Sequence, residues 1–399
     1  MGVPADQAFD HHMMGIALAM AQRGIGTAAP NPSVGAVVVA PESGEVIARA
    51  VTAPGGRPHA EPLALELAGA RARGATLYVT LEPCSHHGRT APCCDAVIAA
   101  GIQRCVVAIE DPDPRVAGRG LDIMRRAGID VTRGVRAEEA HWLTRGHIVR
   151  VTERRPFIQL KIAVDALGDV PRGAHGAATF ATGPLARATG HLLRARSDAI
   201  LVGHGTVRDD NPDLTCRLPG LAHRSPIRIV LASNAAGLET SRLAQSAGSV
   251  PVHVFLAAPP ALAAAISDTE RDAASRTALA AMGVAVTPLR TVAGRLWLPD
   301  VTEALAAAGV TRLLVEGGTR VWQSFARQGL YDEVVLFHAR ACADRPVGDD
   351  QARAVLRRVC GPEGLGRVAR RRLASDDMFV FRAAHAPRRP ATRLVSAAE

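Results

Sequence analysis

The sequence predicts an α/β protein built as two α/β domains in succession. Three observations carry this expectation. The 399 residues are enough for two or three ordinary domains. Short apolar, strand-like runs alternate with stretches of helical spacing in both halves, as when helices cover a sheet. A charged stretch ending in proline, RVTERRP at 150–156, interrupts the alternation. It places one domain at 1–149 and a second at 155–385, followed by a polar, proline-rich tail at 386–399.

In the first half, HHMMGIALAMAQRG (11–24) reads as a helix and SVGAVVVA (33–40) as a short apolar strand. From Ala60, apolar residues recur at Leu63, Ala64, Leu67 and Ala68, the spacing of one helical face. Pro62 then falls in the first turn, where a missing N–H costs little. TLYVTL (76–81) and RCVVAI (104–109) are buried strands, with the helical CCDAVIAAG (93–101) between them. DPDPRVAG (111–118) is a loop rich in turn formers; GLDIMRRAG (120–128) and IDVTRGV (129–135) close the set as helix and strand. A second series of strands follows: FIQLKIAV (157–164), DAILVG (198–203), IRIVLA (227–232), VHVFLA (252–257), RLLVEGG (312–318) and EVVLF (333–337). No fixed-period repeat is present.

Composition narrows the function. No apolar run approaches the roughly 18 residues that span a bilayer. The N-terminus carries Asp6 and Asp10 without a basic flank, unlike a signal peptide, so a cytoplasmic protein is expected. The formal charge of +9 fits a solvated basic surface or an anionic partner. Aromatics are 3 % of the chain, too few for base-stacking platforms, which favours phosphate-bearing small molecules over nucleic acid. Of the 47 lysine and arginine residues, one is lysine, Lys161. An ammonium kept where guanidinium is otherwise universal points to chemistry that a planar fork cannot replace.

Three cysteines and two histidines crowd EPCSHHGRTAPCC (82–94), in a chain with seven cysteines. An odd count in a reducing compartment disfavours disulfides. Upstream stands PHAEPLAL, with His59 and Glu61 at the start of a predicted helix. His-x-Glu followed by Pro-Cys is the signature of zinc nucleobase deaminases. His59, Cys84 and Cys93 supply three ligands and leave a fourth position for water, whose pKa the metal lowers. Glu61 is then the proton carrier. Cys93 opens a predicted helix, whose dipole favours a thiolate. His86 and His87 read as loop residues lining the pocket, and Cys105 as core. The second half lacks G-x-G-x-x-G. It does have two strand-to-glycine turns, at Gly203/Gly205 and at Gly317/Gly318, where backbone N–H groups can approach a phosphate.

Eight residues separate Cys84 from Cys93, where many deaminases have two. TLEPCSHHGRTAPCCDA (80–96) with that spacing closely resembles the bifunctional riboflavin-biosynthesis deaminase/reductase family. PNPSVGAVVV (30–39), GGRPHAE (55–61) and DPDPRVAGRG (111–120) match it too. So do RPFIQLKIA (155–163), LLRARSDAILVG (192–203), TVRDDNPDLTCR (206–217), SPIRIVL (225–231) and LVEGG (314–318). The resemblance implies a cytidine-deaminase-like α/β/α domain followed by a dihydrofolate-reductase-like α/β domain. It implies that zinc deaminates a pyrimidine ribotide phosphate and that NADPH then reduces its ribosyl group.

The same resemblance places Asn31 and Arg89 at the deaminase substrate. It places Lys161, Arg194, Leu214, Arg217 and Glu316 at the reductase substrate. Ala163, Phe180, Thr206, Asp210, Gly318, Thr319, Arg320, Val321, Trp322, Gln323 and Ser324 fall at the cofactor. It implies a homo-oligomer formed through the reductase half, and no nucleic-acid or membrane partner. Departures from the family pattern fall at Asp165–Gly168, Ala178, Phe180 and 338–350. Two alternatives are a reductase-like module that only binds nucleotide or builds the oligomer, and a nucleic-acid base deaminase. The long cysteine spacing and the second domain argue against the base deaminase.

Overall fold

The computed structural model describes residues 7–87, 91–113, 116–171, 181–258, 270–342, 345–361 and 364–383. The proposed tail at 386–399, together with Arg89, Ala178 and Phe180, lies outside them. The chain divides into two compact units, Met1–Pro156 with Ala306–Thr311, and Phe157–Leu305 with Arg312–Glu399.

The first unit holds helix α1 (Gln7–Arg23), strands β1 (Gly35–Val39) and β2 (Val46–Val51), α2 (Ala60–Ala68), β3 (Thr76–Val79), α3 (Cys93–Ala99), β4 (Arg104–Val107), α4 (Arg119–Arg126), β5 (Asp130–Arg133), α5 (Ala137–Leu143) and α6 (Arg145–Glu153). Its sheet runs β2-β1-β3-β4-β5. β1 is antiparallel to both neighbours, while β3, β4 and β5 are parallel. Alternation along each strand sorts the core into two layers. Ala36, Val38, Leu77, Val79, Cys105 and Val107 pack under α2, α3 and α4. Val37, Val39, Tyr78 and Val106 meet Met13, Met14, Ala17 and Leu18 of α1 and Ala140 of α5. Helices therefore cover both faces. A polar pin fixes α1: Arg104 donates to both oxygens of Asp10 at 2.8 and 2.7 Å, and Tyr78 Oη donates to it at 2.7 Å. α6 runs on through the charged residues after Val149 and stops at Arg154, φ 57°, ahead of Pro156.

The second unit holds β6 (Phe157–Val164), α7 (Pro184–Ala195), β7 (Ala199–Gly203), α8 (His204–Asp210), β8 (Ile227–Ala232), α9 (Arg242–Gln245), β9 (Val252–Ala257), α10 (Glu270–Ala281), β10 (Ala285–Leu289), the short pair β11 (Thr291–Val292) and β12 (Arg295–Leu296), α11 (Leu298–Ala307), β13 (Arg312–Val315), α12 (Thr319–Arg327), β14 (Glu333–Ala339), α13 (Asp349–Val359), β15 (Leu365–Leu373) and β16 (Asp376–Ala383). Nine strands form one sheet, β10-β9-β8-β7-β13-β6-β14-β16-β15. β16 is antiparallel to β14 and β15; the other pairs are parallel. The parallel strands are buried apolar runs, as expected of a sheet covered on both faces. The two outer strands differ from them. β15 exposes Arg367, Arg370, Arg371 and Arg372, and β10 contains Pro288.

Candidate active sites

The first site lies where α2, α3 and the loop after β3 meet. His59 precedes α2, Glu61 stands in its first turn, Cys84 follows β3, and Cys93 opens α3. Nδ1 of His59 lies 3.3 Å from Cys93 Sγ and 3.8 Å from Cys84 Sγ. Among the described residues, these three donors form the cluster able to hold a metal, all within 4.8 Å of one another. Their spacing suits zinc. Tetrahedral bonds of about 2.3 Å to sulfur and 2.05 Å to nitrogen put S and N about 3.6 Å apart, between the two observed distances. His86 and His87 stand outside the cluster, and Cys94 packs in the core, as does Cys105.

Electrostatics favour a cation at this cluster. Cys84 falls to about 4, chiefly because the Cys93 thiol donates to it, with His59 and the Cys93 amide helping against burial. Cys93, facing that sulfur and buried beside Glu61, is pushed far up. Two adjacent thiols cannot both ionise unless a positive charge joins them. The start of α3 thus serves Cys84 rather than Cys93: the Cys93 N–H donates to Cys84 Sγ at 3.3 Å. Glu61 is 3 % exposed, and its Oε2 has no partner. Burial lifts its pKa to about 7, against the pull of His59. A carboxyl poised there can accept and return a proton near neutrality. Asn31 sits behind the ligands, its Nδ2 donating to the Gly56 carbonyl at 2.8 Å and lying 3.2 Å from His59 Nε2.

One residue of this site escapes sequence reasoning. Glu82, 3 % exposed, accepts from four backbone amides: Gly118 (2.9 Å), Gly120 (2.9 Å), Asp111 (3.2 Å) and Leu121 (3.4 Å). Three of these belong to the N-terminal turn of α4, whose own cap residue, Gly118, has no side chain to offer. Only glycine fits at position 120, because a Cβ there would lie 2.2 Å from the Pro83 carbonyl. Glu82 and Gly120 together press α4 against the residue before Cys84.

The second site gathers at the ends of parallel strands. Glu316, just past β13, is gripped by Arg194 of α7 through two bonds of 2.8 and 2.9 Å. Lys161 of β6 stands 3.8 Å from the same carboxylate and 5.9 Å from the Phe337 ring centroid. Burial would raise the Glu316 pKa, but the two cations outweigh it and hold it at about 2. Gln159, Lys161 and Ala163 alternate on one half-buried face of β6. Two glycine turns meet beside this face. Cβ atoms at Gly203 and Gly317 would come within 2.9 and 2.6 Å of Val321, and one at Gly318 would lie 4.0 Å from Thr206 Oγ1. The start of α12 and the Thr206 turn of α8 therefore form a close cradle, a fitting seat for a nucleotide phosphate.

The other expected residues are less uniform. Trp322 is buried, its Nε1 donating to the Val315 carbonyl at 3.4 Å, so its ring faces the core. Gln323 Nε2 donates to the Val359 carbonyl and Ser324 Oγ to that of Arg320. Thr319 and Arg320 begin α12, and Asp210 is exposed at the end of α8. Leu214 is buried in the core at φ 54°, while Arg217 pairs with Asp213 at 3.3 Å. The unusual 165–168 turn closes on itself: Asp165 Oδ1 accepts from the amides of Leu167 and Asp169, both at 2.9 Å.

Comparisons with known proteins assign both halves. Residues 7–109 match the cytidine and deoxycytidylate deaminase zinc-binding region, and residues 156–342 match the RibD C-terminal domain. The riboflavin biosynthesis protein RibD of Bacillus amyloliquefaciens is 36 % identical over 330 residues, 83 % of this chain and 84 % of that protein. RibD of Escherichia coli (strain K12) is 45 % identical over 250 residues, 60 % of this chain and 67 % of that protein. The Acinetobacter baumannii RibD structure superposes with a TM-score of 0.78 at 28 % identity, covering 95 % of this chain and all of that one. The diaminohydroxyphosphoribosylaminopyrimidine deaminase/5-amino-6-(5-phosphoribosylamino)uracil reductase of Thermotoga maritima gives 0.75 at 30 % identity, covering 94 % and 99 %. Fold and sites thus define a bifunctional enzyme, a deaminase of the zinc type joined to a reductase, working in riboflavin biosynthesis. The chain belongs to the RibD family.

Proposed function

We propose that residues 1–149 hydrolyse the amino group of 2,5-diamino-6-(5-phosphoribosylamino)pyrimidin-4-one and that residues 155–385 reduce the ribosyl group of the product to ribityl. The observation that carries the first step is the His59, Cys84 and Cys93 cluster with buried Glu61 beside it, one of whose carboxyl oxygens has no partner. His59, Cys84 and Cys93 would hold zinc, which would supply Lewis acidity to a water molecule. Glu61 would carry one proton from that water to the ring nitrogen and a second, from the hydroxyl left on the ring carbon, to the amino group, which departs as ammonia. Asn31 steadies the His59 ring, and Asn31 and Arg89 bind the pyrimidine ribotide.

In the second step NADPH supplies hydride. Ala163, Phe180, Thr206, Asp210 and the 318–324 run hold it, with the amide end of α12 toward its phosphates. Lys161, Arg194, Leu214, Arg217 and Glu316 bind the ribotide. Glu316 fixes Arg194 and Lys161 so that their positive charge faces an anionic substrate. The enzyme acts in the cytoplasm as a homo-oligomer built through its reductase half. Among the described residues no helix is long and apolar enough to cross a membrane.

One experiment tests the whole reading. The purified chain receives the ribotide with and without NADPH, and each product is weighed by mass spectrometry. Without NADPH the product gains one mass unit as an amino group becomes an oxo group; with it, two hydrogens are added. A chain that leaves the ribotide unchanged refutes the reading.

A further inference from the structure

Residues 211–217 form neither helix nor strand, yet side chains from other elements fix their backbone. Asn211 Oδ1 accepts from the Arg242 amide at 2.8 Å. Arg228, fully buried on β8, donates to the Asp213 carbonyl at 3.3 Å. Arg194 Nη1 donates to the Thr215 carbonyl at 3.0 Å, and the Cys216 amide donates to Ser225 Oγ at 3.1 Å. Asn211 and Leu214 both adopt the left-handed region, φ 38° and 54°, which a leucine rarely enters. Irregular backbone held in a rare conformation from several sides is the construction of a binding wall.

His191, one turn before Arg194 on α7, makes the remaining tie. Its Nδ1 lies 3.2 Å from the Thr215 carbonyl oxygen and 3.3 Å from the Arg217 amide nitrogen. One nitrogen cannot serve both at once, since the carbonyl needs a hydrogen on it and the amide needs a lone pair. Arg194 already donates to the carbonyl. The lone-pair form therefore satisfies both the Thr215 carbonyl and the Arg217 amide.

We propose that His191 is a positioning residue for reduction: through Nδ1 it holds the Arg217 amide and so sets the strap that presents Arg217 to the anionic ribotide. This rests on the reductase reading above. Its surroundings keep the imidazole neutral. Burial lowers its pKa, and Arg194 on its own helix and Arg217 on the strap lower it further. The Thr215 carbonyl and Glu316, beyond β13, act in the other direction. Lys161 of β6 reaches the same Glu316. Protonation places a hydrogen between Nδ1 and the Arg217 amide and breaks the tie.

The test is steady-state reduction of the deaminated ribotide by the full chain, at saturating NADPH, between about pH 5 and 8. Wild type, His191→Leu and His191→Asn are compared. His191→Leu raises the ribotide KM about tenfold while kcat, the NADPH KM and deamination stay within about twofold, the signature of lost substrate positioning. His191→Asn puts an amide oxygen near the place of Nδ1. It recovers most of the lost KM and lacks the rise in KM that wild type shows toward acid. Titration of the substrate phosphate is common to all three proteins and cancels. An unchanged KM in His191→Leu overturns the proposal, as does an acid rise in His191→Asn equal to that of wild type. If His191→Leu does not fold, the comparison of wild type with His191→Asn decides alone. A wild-type chain that deaminates but never oxidises NADPH removes the reductase reading and this assignment with it, an outcome distinct from any change in KM.

Discussion

Replacing Glu82 by glutamine tests how the metal loop is braced. The side chain keeps its shape and loses one acceptor oxygen. The oxygen that remains serves two of the four amides; the new NH2 group faces the other two, donor against donor. Hydrogen bonds to a charged group contribute about 1.5–3 kcal/mol each, so losing two costs about 3–6 kcal/mol. The amide turns to sacrifice the pair containing the 3.4 Å bond from Leu121, which keeps the loss near the low end, about 3 kcal/mol. For a unit of this size each kcal/mol lowers the melting temperature by about 2–4 °C. The deaminase transition should therefore fall by about 6–12 °C. Scanning calorimetry of the zinc-loaded full chain measures it, with metal analysis of the same sample. A shift under about 2 °C would show that the four amides do not depend on Glu82 and that α4 is held by packing alone.

The other expectations are more direct. Glu61→Gln should keep zinc and lose at least about a hundredfold in deamination, whereas Cys84→Ser or Cys93→Ser should lose metal and deamination together. Near-normal turnover in a zinc-replete Glu61→Gln would remove that carboxylate from the chemistry. Lys161→Arg should slow NADPH oxidation by about tenfold, about 1.4 kcal/mol of transition-state stabilisation, with deamination unchanged; equal rates in a coupled assay would make the lone lysine incidental. Glu316, held at about 2 against an ordinary 4.5, favours the folded state above pH 4.5, and this contribution should drain away as pH falls toward 2. Acid unfolding of Glu316→Gln, compared with wild type, should lack that component, and identical acid profiles would refute it.

Much of this was legible in the sequence, and the reasons differ by element. β1, β3 and β4 are short apolar runs, and their alternating layers follow from the two-residue period. β2 (VIARAV) and β15 (LGRVARRRL) escaped notice because one lies half exposed at a sheet edge and the other is dominated by arginine. β15 is a strand through its pairing with β16 rather than through its own apolarity. His59, Glu61, Cys84 and Cys93 were readable because zinc chemistry restricts residue type and spacing. Glu82 and His191 were not, since each acts on backbone amides, which carry no sequence signal. Within the 318–324 run the sequence does not separate Trp322 from its neighbours, and only the turn of α12 shows that its ring faces the core.

The arginines along β15 and the proline in β10 govern how this chain meets its own copies. A sheet ending in bare strands invites a second sheet to continue it. Here one border carries four arginines, two of them paired with Asp349 and Asp377, and the other contains a proline, which has no amide hydrogen to donate. Both borders are therefore poor templates for continuing the sheet with another strand.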